Sequence, residues 1–260
     1  MIATLFQNTA SFIRKHLLLL VIASAVPLLL SYVLLWLTIG VTINRIKSTA
    51  SYDEFVQLFS FGNPLTYSFL ITAVIVLAIN IMGWIAGPLI TIKTDQITLT
   101  NLLPKTVKYF WSYFVLSIIV IVGAILIEIG SFLIIMLIST VIGLFNIGLI
   151  GTTVDTLSNI VPSLALISYA ILLQFAPYYL IDQNIEAWPA ILKSINLVWH
   201  HLVSVVMRVL LIATIIILVS FVLQFIPSVG GILSYIFGTV LLTVYNYFVY
   251  QEFNGAGHSQ

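Results

Sequence analysis

The sequence predicts an all-α, polytopic transmembrane helix bundle of about six spans. Three observations carry that reading. Of 260 residues, 61% are hydrophobic and 7% are charged, where a soluble domain has roughly a quarter charged. Mean hydropathy is +1.19. The apolar residues fall into runs of the ~20 needed to cross about 30 Å of hydrocarbon, separated by short polar or Pro/Gly-containing connections. Residues 1–260 read as one integral membrane domain.

Residues 1–16 form an amphipathic lead, with Ile2, Leu5, Phe6, Ile13 and Leu17 able to share a face. Arg14 and Lys15 precede a first span over about Leu17–Gly40, longer than the 7–15 residues of a signal-peptide core, so the segment reads as retained. Pro27 lies mid-span and removes one backbone bond there. Residues 41–66, with Arg45, Lys47, Asp53 and Glu54, form the longest polar connection, and Asn63-Pro64 turns out of it. A second span covers about Leu65–Ile92 and ends near Gly87-Pro88.

Asp95-Gln96 is a turn. Leu99, Leu102, Leu103, Val107, Phe110, Trp111 and Phe114 then give an apolar stripe opposite Lys105, Lys108 and Ser112, read as an interfacial helix. Span 3 is expected from Tyr113 to about Ser139, and residues 140–158 as an outer loop or a short re-entrant piece containing Asp155. A hairpin pivoting near Gly130 is the alternative, giving seven spans. Span 4 covers about Asn159–Ile181 and is broken by Pro177.

The next stretch has the clearest periodicity. After Asp182-Gln183, Ile185, Trp188, Ile191, Leu192, Ile195, Val198, Trp199 and Leu202 fall on one helical stripe, opposite Asn184, Glu186, Lys193, Ser194, Asn196, His200 and His201. This predicts an interfacial helix over 184–201. Spans 5 and 6 follow at about Val203–Ile226 and Ile232–Tyr250, joined by the turn Pro227–Gly231, and Asn254–Gln260 is expected to fray within a flexible tail from 253.

Pro88, Asp95 and Trp111 are followed 89, 87 and 88 residues later by Pro177, Asp182 and Trp199. Leu103-Pro104-Lys105-Thr106 aligns with Ile191-Leu192-Lys193-Ser194, and more weakly with Phe6-Gln7-Asn8-Thr9. The spacing predicts three parallel repeats, about 1–95, 96–183 and 184–252, each an interfacial helix plus two spans. With six spans and a cytoplasmic N-terminus, seven basic residues (Arg14, Lys15, Lys93, Lys105, Lys108, Lys193 and Arg208) fall on the inner side against Arg45 and Lys47 outside. Both termini are then cytoplasmic, in a plasma (inner) membrane, and the lysines meet anionic lipid headgroups.

Glu128 is the candidate intramembrane functional residue, about 22 Å along span 3 from Tyr113, where a carboxylate suits a proton or cation site. Arg208 lies only about 9 Å beyond Leu202, too shallow to pair with Glu128, and is expected to snorkel to the inner headgroups. His200 and His201 point about 100° apart on a helix and do not form an i, i+4 chelate. With a net charge of +1 there is no basic stripe for nucleic acid, and no Cys is present. No Walker loop, zinc-protease His pair or nucleophile elbow occurs. No cofactor or metal is expected, and whether the chain forms an oligomer or takes a protein partner is open.

Tyr178-Tyr179-Leu180-Ile181-Asp182, Ile185-Glu186-Ala187, Ala190-Ile191, Ser194, Leu197-Val198 and His201 resemble a bacterial pattern of span end, acidic turn and interfacial helix. It is similar to the membrane domain of glycerophosphodiester phosphodiesterases and to related six-span bacterial membrane proteins of unknown function. The resemblance implies the membrane module without the hydrolase, since no cluster of His and Glu like the hydrolase site is present, and it supplies no catalytic residues. The expectation is a non-catalytic scaffold, partner-binding or lipid-interacting module. The alternative is a small transporter or channel using Glu128.

Overall fold

A computed structural model describes the backbone of residues 2–47, 64–144, 150–227 and 229–256. Most of the expected 41–66 loop, including Asp53 and Glu54, lies outside the described residues, as do Ser228 of the expected turn, the last four residues of the expected tail, and the side chains of Arg45, Lys47 and Asp155. Every regular element described is helical: α1 (Ile2–Lys47), α2 (Pro64–Ile92), a 3-10 turn (Thr94–Gln96), α3 (Leu99–Leu144), α4 (Ile150–Leu173), α5 (Ala176–Asp182), α6 (Ala187–His200), α7 (Leu202–Leu223) and α8 (Gly230–Ala256). Among the described residues six helical stretches are long and apolar enough to cross a membrane: 3–40, 66–92, 99–140, 160–182, 202–223 and 230–255. The expected all-α architecture with six candidate spans is therefore observed.

Several boundaries differ from expectation. The interfacial helix expected over 99–112 does not end before Tyr113; α3 runs unbroken through it and through Gly130, so there is no hairpin there. Nothing at either position withdraws a backbone donor, and among apolar surroundings an unbroken helix satisfies its backbone groups within itself. The stretch at 140–158, expected as an outer loop or a short re-entrant piece, is helical on both sides of 145–149, which lie outside the described residues. Asn254, expected in the frayed tail, is helical, and its side chain meets Tyr250 Oη at 3.4 Å. The lead and first span are separated by non-helical dihedrals at His16 (φ −116°, ψ 17°).

The chain divides into two compact units, residues 1–110 with 218–245, and residues 111–217 with 246–260. In the first unit α1 and α2 form an antiparallel pair. Asn80 Nδ2 donates to Ser31 Oγ at 2.8 Å, and the Thr38 and Thr72 hydroxyls lie 3.0 Å apart. Such bonds hold helices where lipid offers no polar alternative. A Cβ on Gly83 would lie 2.8 Å from the Pro27 ring, so the glycine makes room for the proline. In the second unit Tyr169 of α4 reaches α3: its Oη donates to the Ile119 carbonyl at 3.2 Å and would sit 2.1 Å from a Cβ on Gly123.

Candidate functional site: the α5–α6 hairpin around Tyr250

Pro177 breaks the fourth span as expected. α4 stops at Leu173, two residues turn, and α5 restarts with the proline in its first turn, where its missing N–H costs nothing. Such a break leaves backbone groups without helical partners. Ser194 of α6 supplies one: its Oγ accepts from Phe175 N at 3.2 Å and donates to the Leu172 carbonyl at 2.7 Å. Ser194 is fully buried. One hydroxyl thus joins α6 to both edges of the break.

α5 wraps the C-terminal end of α8. Phe175, Tyr178 and Tyr179 place their rings 6.5, 5.8 and 4.9 Å from that of Tyr250. Tyr250 Oη donates to Asp182 Oδ2 at 2.7 Å. Phe175, Tyr178, Tyr179 and Asp182 span eight positions of α5 and its approach, and all four meet the one Tyr250 side chain. The turn to α6 uses Asn184 at φ 50°, a left-handed conformation that Asn adopts more readily than most residues.

α6 has three faces. Ala187, Ala190, Ile191, Ser194, Leu197 and Val198, spaced 3, 1, 3, 3 and 1, are buried. Lys193, Asn196 and His200 are exposed and polar. Trp188, Leu192 and Trp199 are 58%, 50% and 70% exposed, with Ile195 half-buried between them. The expected single apolar stripe therefore splits. Its Ile191 and Val198 belong to a protein-facing surface built of small residues, while the tryptophans point away from the protein. Lys193 Nζ donates to the Gln183 side chain, and His200 Nδ1 lies 2.8 Å from the Asn196 carbonyl.

Arg208 requires a correction. It does not snorkel: it is 5% exposed and forms a bidentate bridge to Glu252, Nη1 to Oε2 at 2.9 Å and Nη2 to Oε1 at 2.8 Å. Its guanidinium stands 4.6 Å from the Phe253 ring centroid, and His201 stacks on that ring at 4.5 Å. A partner 44 residues away ends the need to reach for headgroups. Sequence reasoning puts Ser194 on the polar face of the interfacial helix, where the structure buries it fully, and it does not single out Glu252 or Tyr250 as site residues. The small-residue spacing Ala187, Ala190, Ser194 was the available signal for Ser194.

The other predicted residues lie elsewhere. Glu128 is exposed on α3, makes no hydrogen bond or ion pair among the described residues, and lines neither of two apolar cavities, one bordered by Pro27, Gly83 and Thr106, the other by Ile13, Leu233 and Phe237. Lys105 donates to the Gln96 carbonyl, and Lys108 lies 5.5 Å from the Tyr109 ring centroid. Trp111 is 70% exposed and meets Phe114 edge-on at 5.7 Å. Among the described residues no three His, Cys, Asp or Glu side chains gather as a metal site. What the hairpin offers is therefore a docked, rigid platform with an outward aromatic row and a polar row beside it. No protein-family model, no curated protein and no solved structure matches the chain.

Proposed function

We propose that this chain is a non-catalytic membrane module that engages the inner headgroup layer of a plasma membrane through α6. The three-faced character of α6 carries the reading. An outward row of two tryptophans beside a row of Lys, Asn and His is the chemistry of a helix lying between hydrocarbon and water. Ser194 anchors that helix from its third side, to both edges of the break before α5.

The proposal includes the three parallel repeats, with both termini cytoplasmic. The fourth position of each aligned tetrad supports it: Thr9, Thr106 and Ser194 are all hydroxyls and are 1%, 2% and 0% exposed. Lys105 and Lys193 also act alike, each reaching back to a glutamine that follows an aspartate. The likeness to the membrane domain of glycerophosphodiester phosphodiesterases belongs to the same proposal, as a module without the hydrolase.

Single-tryptophan variants in bilayers containing brominated lipids test it. Trp188 and Trp199 should be quenched strongly, and most by bromines placed close to the headgroups. Absence of quenching at both would remove the interfacial helix and the function built on it.

A further inference from the structure

The first unit holds an uncompensated cationic corner. Its described basic side chains are Arg14, Lys15, Lys93, Lys105 and Lys108, its one described acid is Asp95, and among the described residues none of the five forms a salt bridge. Two converge on Tyr109, and a third, Lys105, stands nearby with its ammonium on the Gln96 carbonyl. Lys93 Nζ donates to Tyr109 Oη at 3.0 Å and lies 5.6 Å from the ring centroid; Lys108 Nζ lies 5.5 Å from the same centroid. Lys105 is one turn before Tyr109 on the same helix. Like charges gathered this way repel, and their neighbourhood favours an anion.

The turn of α3 that carries Lys105 also walls an apolar cavity of ≈ 220 Å³ through Leu102, Leu103 and Thr106, with Pro27, Gly83 and Ala86 opposite. Lys105 and Thr106 are consecutive, so cations and cavity lie within about one helix diameter, ~10 Å. An inorganic anion would satisfy the lysines and leave the cavity empty. An amphiphile with a phosphate beside a hydrocarbon chain fits both.

We propose that this corner binds one anionic phospholipid, its phosphate against Lys105 and Lys108 and a stretch of acyl chain in the cavity between Pro27, Gly83 and Thr106. The proposal rests on the reading of the protein as a lipid-engaging module, and it names the lipid class and a second place where that lipid is held. Lys93 holds Tyr109 beneath the phosphate.

Native mass spectrometry of the full chain released from phosphatidylcholine nanodiscs containing some phosphatidylglycerol reads the site. The wild type should retain phosphatidylglycerol in preference to phosphatidylcholine. Lys105→Gln with Lys108→Gln, the first half-buried and the second exposed, should weaken that retention about 30-fold, from two basic residues at a membrane surface. Ala86→Leu should fill the cavity and weaken long-chain phosphatidylglycerol while sparing a short-chain form. Added inorganic phosphate should not displace the lipid. Equal retention by the double lysine variant would overturn the site, and so would displacement by phosphate or equal loss of both chain lengths in Ala86→Leu. Retention lost in Lys193→Gln but kept in the double lysine variant would also overturn it while leaving the α6 reading intact. The quenching experiment at Trp188 and Trp199 depends on none of these lysines, so the two failures are distinguishable.

Discussion

Removing Glu252 should damage the protein more than removing Arg208. The two ends of the bridge differ in burial: Arg208 is 5% exposed, while a third of the Glu252 side chain reaches the surface. Glu252→Ala strands a guanidinium that cannot leave, since Phe253 lies against it. Breaking a buried pair in this way costs about 3–5 kcal/mol. Arg208→Met keeps most of the packing volume and strands a carboxylate that water already touches, so about 1–2 kcal/mol is expected. The double variant removes both charges and should cost less than the sum, with a coupling of about 1–3 kcal/mol. For a chain of this size, 3 kcal/mol corresponds to roughly 6–12 °C in Tm. Thermal unfolding in one detergent, for the wild type, both single variants and the double variant, gives the full cycle. Equal losses in the two single variants, or strict additivity in the double, would refute the asymmetric buried bridge.

Two further outcomes follow from the same geometry. Ser194→Ala should destabilise by about 1–3 kcal/mol by leaving Phe175 N–H unpaired at the helix break, measured by the same melts; Ser194→Thr is a poor control because the extra methyl enters a fully buried position. Glu128→Gln and Glu128→Leu should both stay within about 0.5 kcal/mol of wild type, since the side chain is exposed and no described group depends on it; loss of proton or cation flux in Glu128→Gln proteoliposomes would instead revive a transport role.

Hydropathy made the six candidate spans legible, Pro177 marked a real helix break because a proline withdraws a backbone donor, and the turns expected at Asp95 and Asp182 fall where they were expected. The faces of α6 were only half legible. In water an apolar stripe identifies the buried side, but in a bilayer lipid and protein interior are equally apolar. Trp188 and Ile191 therefore read alike in sequence and part company in the fold. Residue size separates them instead: Ala187, Ala190 and Ser194 let α6 approach the helix break, and tryptophan does not. The Arg208–Glu252 bridge and the Tyr250–Asp182 bond join residues 44 and 68 positions apart, and no periodicity within one helix announces such partners. The continuity of α3 was missed because the apolar stripe at 99–114 resembles the one at 185–202, yet only the later copy is followed by non-helical dihedrals, at His201.

The most direct measurement is a single-cysteine labelling scan of α6, simplified by a chain without native cysteine, in right-side-out and inside-out vesicles. A membrane-impermeant reagent should label positions 193, 196 and 200 from the cytoplasmic side alone. A lipid-soluble reagent should be needed for 188, 192 and 199, and neither should reach 187, 190 or 194. Labelling from the outside, or uniform labelling around the helix, would contradict an α6 that is docked on one side and shared between lipid and cytoplasm on the others.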